Sequence, residues 1–248
     1  MTWLITGASG AIGTGLTRSF AQAGVPLRLL DLRPPAELPH DVRFIEADLR
    51  DPDVIREAAA GVNAIIHLAG ITREAPFPQI AEHNITGTFN VLEAARTQAV
   101  PRVVLASSHH AAGLHPVSIA QDEVTAMAPD SFYGVSKITI EALGFLYAHK
   151  HPMTVVTLRI GSCRDRPSEP RHRATWLSPR DATALVTAAA TQPLPCPYLT
   201  VYGTSDNSEK WWPRDGWDDL GYQPQDSADH HHIDGPLTDR WQGGTFAE

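Results

Sequence analysis

Thr2-Trp3-Leu4-Ile5-Thr6-Gly7-Ala8-Ser9-Gly10-Ala11-Ile12-Gly13 is the stretch that decides the fold. A short β-rich run breaks into three glycines at three-residue spacing, and Ile12, Leu16 and Phe20 continue as an apolar stripe at helical period. The pattern predicts strand, tight turn, helix. Glycine serves a turn of positive φ at Gly7, contact of backbone with a ligand at Gly10, and close helix–strand packing at Gly13. Ala11 and Ile12 open a helix whose unpaired amides and positive dipole end face whatever lies over the turn, and a pyrophosphate is the expected occupant. A glycine trio alone is a weak signal, and its place after a first strand is what gives it weight.

Working outward, Leu27-Arg28-Leu29-Leu30-Asp31 reads as a second strand ending in a carboxylate, 18 residues beyond Gly13. A dinucleotide fold places the acid that accepts from the adenosine ribose at roughly 20 residues. Asp31, followed by Leu32 and Arg33, is therefore expected to favour NAD, because a carboxylate disfavours the extra phosphate of NADP; Arg33 keeps that question open. Residues 42–49 read as a third strand. Asp48 and Leu49 close it, with Asp48 either meeting the adenine amine or capping the helix that begins at Asp51-Pro52. Ala64-Ile65-Ile66-His67-Leu68-Ala69-Gly70 is a continuous apolar run, as a strand covered on both faces should be. Leu68, Ala69 and Gly70 allow close backbone approach at its end, and His67 reads as a core histidine. A helix over 79–97 and a strand over 102–106 complete another unit. Alternating strands and helices predict an α/β fold, a doubly wound parallel sheet of Rossmann type with helices on both faces.

The chain of 248 residues and 27.0 kDa is long enough for one large core. The expectation is one domain, with 1–160 as cofactor-binding and catalytic core and 161–248 as a small carboxyl-terminal part that mainly binds substrate. A composition 42% hydrophobic and 19% charged is ordinary for a soluble protein. No apolar run approaches the roughly 20 residues of a membrane helix, and residues 1–13 are already strand and turn rather than a signal peptide, so a cytoplasmic protein is expected. Cys163 and Cys196 form no spacing motif, no metal site is expected, and His230-His231-His232 reads as a solvated loop. A net charge of -8 argues against nucleic acid as partner.

The chemistry lies at the fifth strand's end, Ser107-Ser108-His109-His110, and at Tyr133-Gly134-Val135-Ser136-Lys137. Tyr133 and Lys137, four apart, share a helix face. A phenol near pKa 10 is a poor base, and an adjacent ammonium favours the phenolate. Lys137 would lower the tyrosine pKa and hold the nicotinamide ribose, Ser108 would bond the substrate oxygen, and Tyr133 would take the hydroxyl proton as hydride leaves carbon. Ile160, at the end of the next strand, joins Tyr133 and Lys137 among the cofactor-facing residues. The loop from Arg164 to Arg173 carries four arginines and a histidine against two acids, a set of forked donors suited to an anion.

These motifs together, the GASGAIG turn, Asp31, Asp48, His67-Leu68-Ala69-Gly70, Ser108 and YGVSK, resemble the extended, epimerase-like branch of the short-chain dehydrogenase/reductases. Gly70-Ile71-Thr72, Leu158 to Cys163, Ala174 to Ser178, Trp211-Trp212, Leu220 to Pro224 and Trp241 to Phe246 are similar to segments of bacterial uronate dehydrogenases. That resemblance implies NAD-dependent oxidation of C1 of a pyranose uronic acid to a lactone, with Ser108, Tyr133 and Lys137 catalytic. It further implies Thr72, Ser108, His110, Tyr133, Ser162 and Arg171 as substrate contacts, Phe246 closing the site, and a homo-oligomer formed through the helices around 79–97 and 132–149. His109 departs from the pattern, which has asparagine there; an imidazole permits a positive charge beside the substrate. His109 and the arginine-rich loop make a sulfonated hexose, sulfoquinovose, the alternative substrate. A nucleotide-sugar epimerase is the alternative from another class, disfavoured because only 88 residues follow Ile160. Trp211 and Trp212 are expected to pack the carboxyl-terminal segment rather than stack on sugar.

Overall fold

The computed structural model describes residues 1–40, 42–119 and 127–247. In chain order the elements are β1 (Trp3–Thr6), α1 (Ala11–Gln22), β2 (Leu27–Asp31), β3 (Arg43–Glu46), α2 (Pro52–Ala59), β4 (Ala64–His67), α3 (Phe77–Ile80), α4 (Gly87–Thr97) and β5 (Arg102–Ser108). They continue with α5 (Phe132–Lys150), β6 (Thr154–Ile160), β7 (Ser162–Cys163), α6 (His172–Thr175), β8 (Trp176–Leu177), α7 (Pro179–Thr191), β9 (Tyr198–Gly203) and α8 (Trp217–Leu220). Seven strands form one sheet in the order β3-β2-β1-β4-β5-β6-β9, every pair parallel, while β7 and β8 make a separate two-residue ribbon.

Alternation of side chains across the pleat sends Trp3 and Ile5 to one face and Leu4 to the other. The first face packs Leu16 and Phe20 of α1 and Ala182, Leu185 and Val186 of α7, with the Trp3 and Phe20 rings edge-on at 5.0 Å. The second packs Ile55 of α2, Val91 and Leu92 of α4 and Tyr147 of α5. Both faces being covered, the central strands are buried throughout, as the apolar run at Ala64–His67 requires. The chain runs outward from β1 to β3 and then returns to β4, so the strand order reverses beside β1. The carboxyl ends of β1 and β4 diverge there into the crevice where such sheets bind ligands.

Three boundaries differ from the sequence pattern. The third strand stops at Glu46, because the side chain of Asp48 accepts the Arg50 amide (2.9 Å) and turns the chain away. Asp48 caps no helix: Asp51 does, accepting from the amides of Asp53 and Val54. The helix over 79–97 is interrupted by a π-helical turn, Ala81–Thr86, whose wider winding re-aims Asn84. The stretch after 160 contributes α7 and the seventh strand β9 to the sheet, in addition to the segments expected to bind substrate. α7 carries a readable start, Ser178 capping the Asp181 amide with Pro179 behind it.

Candidate active site

The glycine turn has the geometry its spacing implies. Gly7 has φ +72°, and a side chain there would stand 2.5 Å from the Ala69 amide nitrogen; one at Gly13 would run into the Gly7 carbonyl. Gly10 has an ordinary φ of -70°, so conformation does not require glycine, and a methyl would meet only the Gly7 oxygen at 3.3 Å. What Gly10 borders is a cavity of about 790 Å³ over the sheet's carboxyl edge. Asp31 is fixed at its rim by two amides, Ser9 N–H on Oδ2 (2.9 Å) and its neighbour Leu32 on Oδ1 (2.7 Å). Ser9 Oγ in turn donates to the Arg33 carbonyl (2.6 Å).

Gly7, Gly10, Ala11, Ile12, Gly13, Asp31, Leu32, Arg33, Asp48, Leu49, Leu68, Ala69, Gly70 and Ile160 all line this one cavity. Asp48 does so while held by Arg50, whose Nε and Nη2 donate to it at 3.0 and 2.7 Å and keep its carboxyl below the usual range. Ser9, Ile71, His83, Ser107 and Cys163 also line it, without having been singled out in the sequence. The two serines, Ile71 and Cys163 sit inside segments already recognised, whereas His83 carries no local signal. Burial pushes the Cys163 thiol up to about 12, which keeps it a thiol.

At the inner end, β5 delivers Ser108 and α5 delivers Tyr133 and Lys137. Tyr133 shares a side-chain hydrogen bond with Ser108. Lys137 donates from Nζ to the Ala106 carbonyl (2.6 Å) and stands 5.3 Å from the tyrosine ring centroid. Burial pushes Tyr133 up to about 12 despite the Ser108 bond, so the protein's own groups do not depress the phenol as the lysine spacing suggested. Burial draws Lys137 down to about 8, opposed by the charge of Glu141 one turn along the helix.

Below these lies a buried network. Arg159 forks onto Glu141, Nε to Oε1 and Nη2 to Oε2, each 2.9 Å, and Ser107 Oγ donates to Oε1 at 2.6 Å. Asn84, from the π-helical turn, accepts the Ile71 amide (2.7 Å), donates to the Ile71 carbonyl (2.9 Å) and donates to Ser136 Oγ on α5 (3.0 Å). His67 is a satisfied core histidine, between Thr6 (2.7 Å) and Thr88 (2.9 Å), kept neutral by burial with its pKa near 3.

Of the residues expected to meet substrate, Thr72, Ser108, His109, His110 and Tyr133 line the cavity, while Ser162, Arg171 and Phe246 do not. Ser162 is bonded to Thr175 at 2.9 Å. Phe246 packs on the His110 ring at 4.3 Å, with the Tyr133 ring 6.2 Å away. Arg171 stands behind His109, its Nη2 donating to the Gln242 carbonyl (2.7 Å) and toward His109 Nε2 (3.4 Å). No carboxylate lies within ion-pairing distance of Arg171 among the described residues, a half-buried cation without a contact anion.

The positive charge that the sequence allowed at His109 is corrected by this geometry. His109 Nδ1 faces the Ile160 carbonyl (3.1 Å), which can only accept, and Arg171 faces Nε2. Burial above all holds the ring far below its usual pKa, helped by the Arg171 charge beside it, and it sits between the rings of His110 (4.2 Å) and Trp212 (5.3 Å). Arg173, Arg164 and His172 of the basic loop serve structure. Arg173 donates to the carbonyls of Ile233 and Gly235, Arg164 reaches Glu169, and His172 accepts the amides of Ser168 and Glu169. Trp212 stacks on Tyr202 (4.9 Å) and donates to Gln242 (2.7 Å), the packing role expected of it. Among the described residues no cluster suited to a metal ion occurs, and His231 and His232 lie outside the buried core.

A Rossmann sheet with a glycine turn, an acid closing β2 and a serine–tyrosine–lysine group in the same cavity define the class: a short-chain dehydrogenase/reductase of the extended type. Residues 3–177 match the NAD dependent epimerase/dehydratase family, and the chain belongs to that family. Within it, the uronate dehydrogenase of Agrobacterium fabrum (strain C58) is 37% identical over 256 residues, covering 99% of this chain and 96% of its own. The NAD-dependent glucose-6-phosphate dehydrogenase of Haloferax volcanii is 34% identical over 258 residues, covering 95% and 97%. The crystal structure of uronate dehydrogenase from Agrobacterium tumefaciens matches with a TM-score of 0.91 at 35% identity, over 99% of this chain and 96% of that one. A tyrosine-to-alanine variant of that enzyme complexed with NAD gives the same TM-score at 34% identity.

Proposed function

We propose that the protein oxidises C1 of a pyranose uronic acid, such as glucuronate or galacturonate, to the lactone, with NAD as oxidant. The observation that carries this is the hydrogen-bonded Ser108 and Tyr133, with Lys137 5.3 Å from the tyrosine ring, in the same cavity as the glycine turn and Asp31. The residues present fit NAD: the turn leaves its backbone bare, the start of α1 offers amides to a pyrophosphate, and Asp31 stands ready to accept from ribose hydroxyls. When bound, NAD accepts the hydride from C1.

The chain's own residues handle the proton and the orientation. Ser108 donates to the oxygen on C1, and Tyr133 Oη takes that hydroxyl's proton. With burial, and to a lesser degree the Asp130 charge, holding Tyr133 near 12 against the Ser108 bond, positive charge must bring it down. Lys137, at about 8, is mostly cationic at neutral pH and its bond to Ala106 fixes where that charge stands, but Tyr133 stays near 12 with Lys137 in place, so the lowering must come with the bound cofactor and substrate. Arg171, behind His109 and outside the cavity lining, is the proposed charge partner of the substrate anion, which it reaches by exchanging its bond to the Gln242 carbonyl.

A carboxylate is favoured as that anion. Uronate dehydrogenases are 36–37% identical to nearly the whole chain against 34% for the glucose-6-phosphate dehydrogenase, and donors that would recommend a sulfonate are spent elsewhere, Arg173 on loop carbonyls and His109 as a neutral ring. The epimerase reading loses ground too, because part of the 88 residues after Ile160 builds α7 and β9. Initial rates of NADH formation with glucuronate, galacturonate, sulfoquinovose and glucose test this. Turnover of the uronates and not glucose is expected, with Arg171→Ala raising KM for the sugar while NAD binding persists. Preferred turnover of sulfoquinovose would replace carboxylate by sulfonate, and no NADH from any acid would refute the proposal.

Pairing of two copies through α4 and α5 belongs to the same proposal. Phe89, Phe132, Val135, Phe145 and Leu146 are exposed apolar side chains on those helices. Light scattering on the eluting protein should show a dimer or a multiple of one. No helix among the described residues is long and apolar enough to cross a membrane, and a cytoplasmic location is proposed because the reaction draws on NAD.

A further inference from the structure

We infer that Asp130 is a positioning residue of the substrate site, acting through His110; the inference rests on the sugar-oxidising function proposed above. Asp130 lies just ahead of α5, and its side chain is 0% exposed. Its Oδ2 is 2.6 Å from His110 Nδ1, and its Oδ1 accepts Ser131 Oγ–H at 2.7 Å. Ser131 in turn caps α5 by accepting the Gly134 amide at 3.0 Å. The carboxylate therefore sits at the positive end of the helix that carries Tyr133.

Burying a carboxylate is costly unless its lone pairs are engaged, and here each oxygen has a donor. The surroundings are built around it. A side chain at Gly113 or at Gly243 would collide with the Asp130 carboxylate, so two other chain segments close on it with bare backbone. What this arrangement delivers is a fixed imidazole. A carboxylate oxygen only accepts, so Nδ1 of the neutral ring carries the hydrogen, and Nε2 is left as an acceptor. His110 lines the cavity, its ring 5.6 Å from that of Tyr133, and Phe246 packs on it at 4.3 Å. The His110 amide also donates to Ser108 Oγ at 3.3 Å, tying the ring's backbone to the serine.

Asp130 thus sets which ring nitrogen meets the sugar, and Nε2 takes a hydroxyl hydrogen of the pyranose. Without the carboxylate both tautomers would be open to the ring, and the Nε2–H form would present a donor where the substrate also has a donor.

The test is Asp130→Asn, alone and combined with His110→Ala, assayed with a uronate and NAD. Asp130→Asn should raise KM for the sugar about tenfold, roughly the loss of one hydrogen bond to the substrate, and leave KM for NAD unchanged. In the His110→Ala background it should add nothing. An unchanged sugar KM, or an equal loss in both backgrounds, would overturn the inference. Nitrogen NMR of labelled histidine in the wild-type protein at alkaline pH gives a readout independent of turnover and of the variant's folding. His110 should show hydrogen on Nδ1 and a bare Nε2, and hydrogen on Nε2 would overturn the inference. Should the wild-type protein oxidise no uronate, the proposed function fails and the NMR still decides the role of Asp130.

Discussion

Replacing Glu141 by Gln should destabilise the protein more than almost any conservative change elsewhere. The side chains of Arg159 and Glu141 are only 5% and 11% exposed and meet through two parallel bonds of 2.9 Å. Removing one partner of a buried ion pair costs about 3–5 kcal/mol, chiefly because the other charge is stranded. Gln keeps one acceptor oxygen, for Arg159 or for the Ser107 hydroxyl now 2.6 Å away, so the lower figure of about 3 kcal/mol applies. For a chain of this size about 2–4 °C is lost per kcal/mol, giving a fall in Tm of about 6–12 °C.

Thermal melting followed by circular dichroism, with a urea titration for the free energy, reads this directly. A fall below about 2 °C would refute the assignment of the pair as a buried, mutually dependent unit. Replacing both partners, Glu141→Leu with Arg159→Met, should be nearly neutral if charge rather than shape is at stake. A kinetic consequence accompanies the loss. The Glu141 charge supports the Lys137 ammonium, so its removal lowers the Lys137 pKa further from about 8, and activity that needs the cation should fall away at lower pH than in the wild type.

Gly7→Ala should weaken NAD binding at least about tenfold in a fluorescence titration, since φ +72° strains any other residue and the methyl would press on Ala69. Unimpaired binding would mean the turn is not the phosphate site. The difference in tyrosinate absorbance between wild type and Tyr133→Phe, taken without cofactor, should show Tyr133 ionising only above its ordinary value, toward about 12. Because the folded-state pKa is raised, the stability that Tyr133 contributes is complete below the ordinary value and is lost as pH climbs toward 12. Ionisation below the ordinary value would show that Lys137 outweighs burial. His109→Asn should leave the pH profile of kcat/KM unchanged between about pH 6 and 8, because the wild-type imidazole is already neutral there. Loss of an acidic limb in the variant would show that the ring carries charge after all.

What the sequence disclosed follows from how local the chemistry is. Gly7, Gly10 and Gly13 act through backbone within a dozen residues, and Asp31 and Ser108 announce themselves by ending apolar runs, so that part of the cavity lining was legible. Tyr133 and Lys137 share a face by helical period alone. The substrate side was not legible in the same way. Arg171 was singled out from its loop, but its place behind His109 depends on Gln242, 71 residues away. The neutrality of His109 is a product of burial against Ile160 and Trp212, which no spacing encodes. Asp130 and Glu141 carry ordinary neighbours in sequence, and their partners arrive from other elements. Helix α7 opens on a readable start, Ser178-Pro179, but its buried face is largely alanine, Ala182, Ala188, Ala189 and Ala190, so helical period shows little contrast there.

The π-helical turn that presents Asn84 bears on how this protein can change. One amide side chain pairs with both backbone groups of Ile71, on one bank of the cavity, and with Ser136, on the helix of the other bank. The two banks are thereby stitched into a single stiff frame, and a shift of either drags its opposite. Adaptation to a new sugar is cheapest where no such stitch exists, at Thr245 and Phe246, beyond Gln242 and Gly243, whose bonds to the backbone of His115 and Gly113 hold the preceding residues in place. A library that varies Thr245 and Phe246 and spares Asn84, Gln242 and Gly243 should yield altered substrate range with the redox machinery left in register.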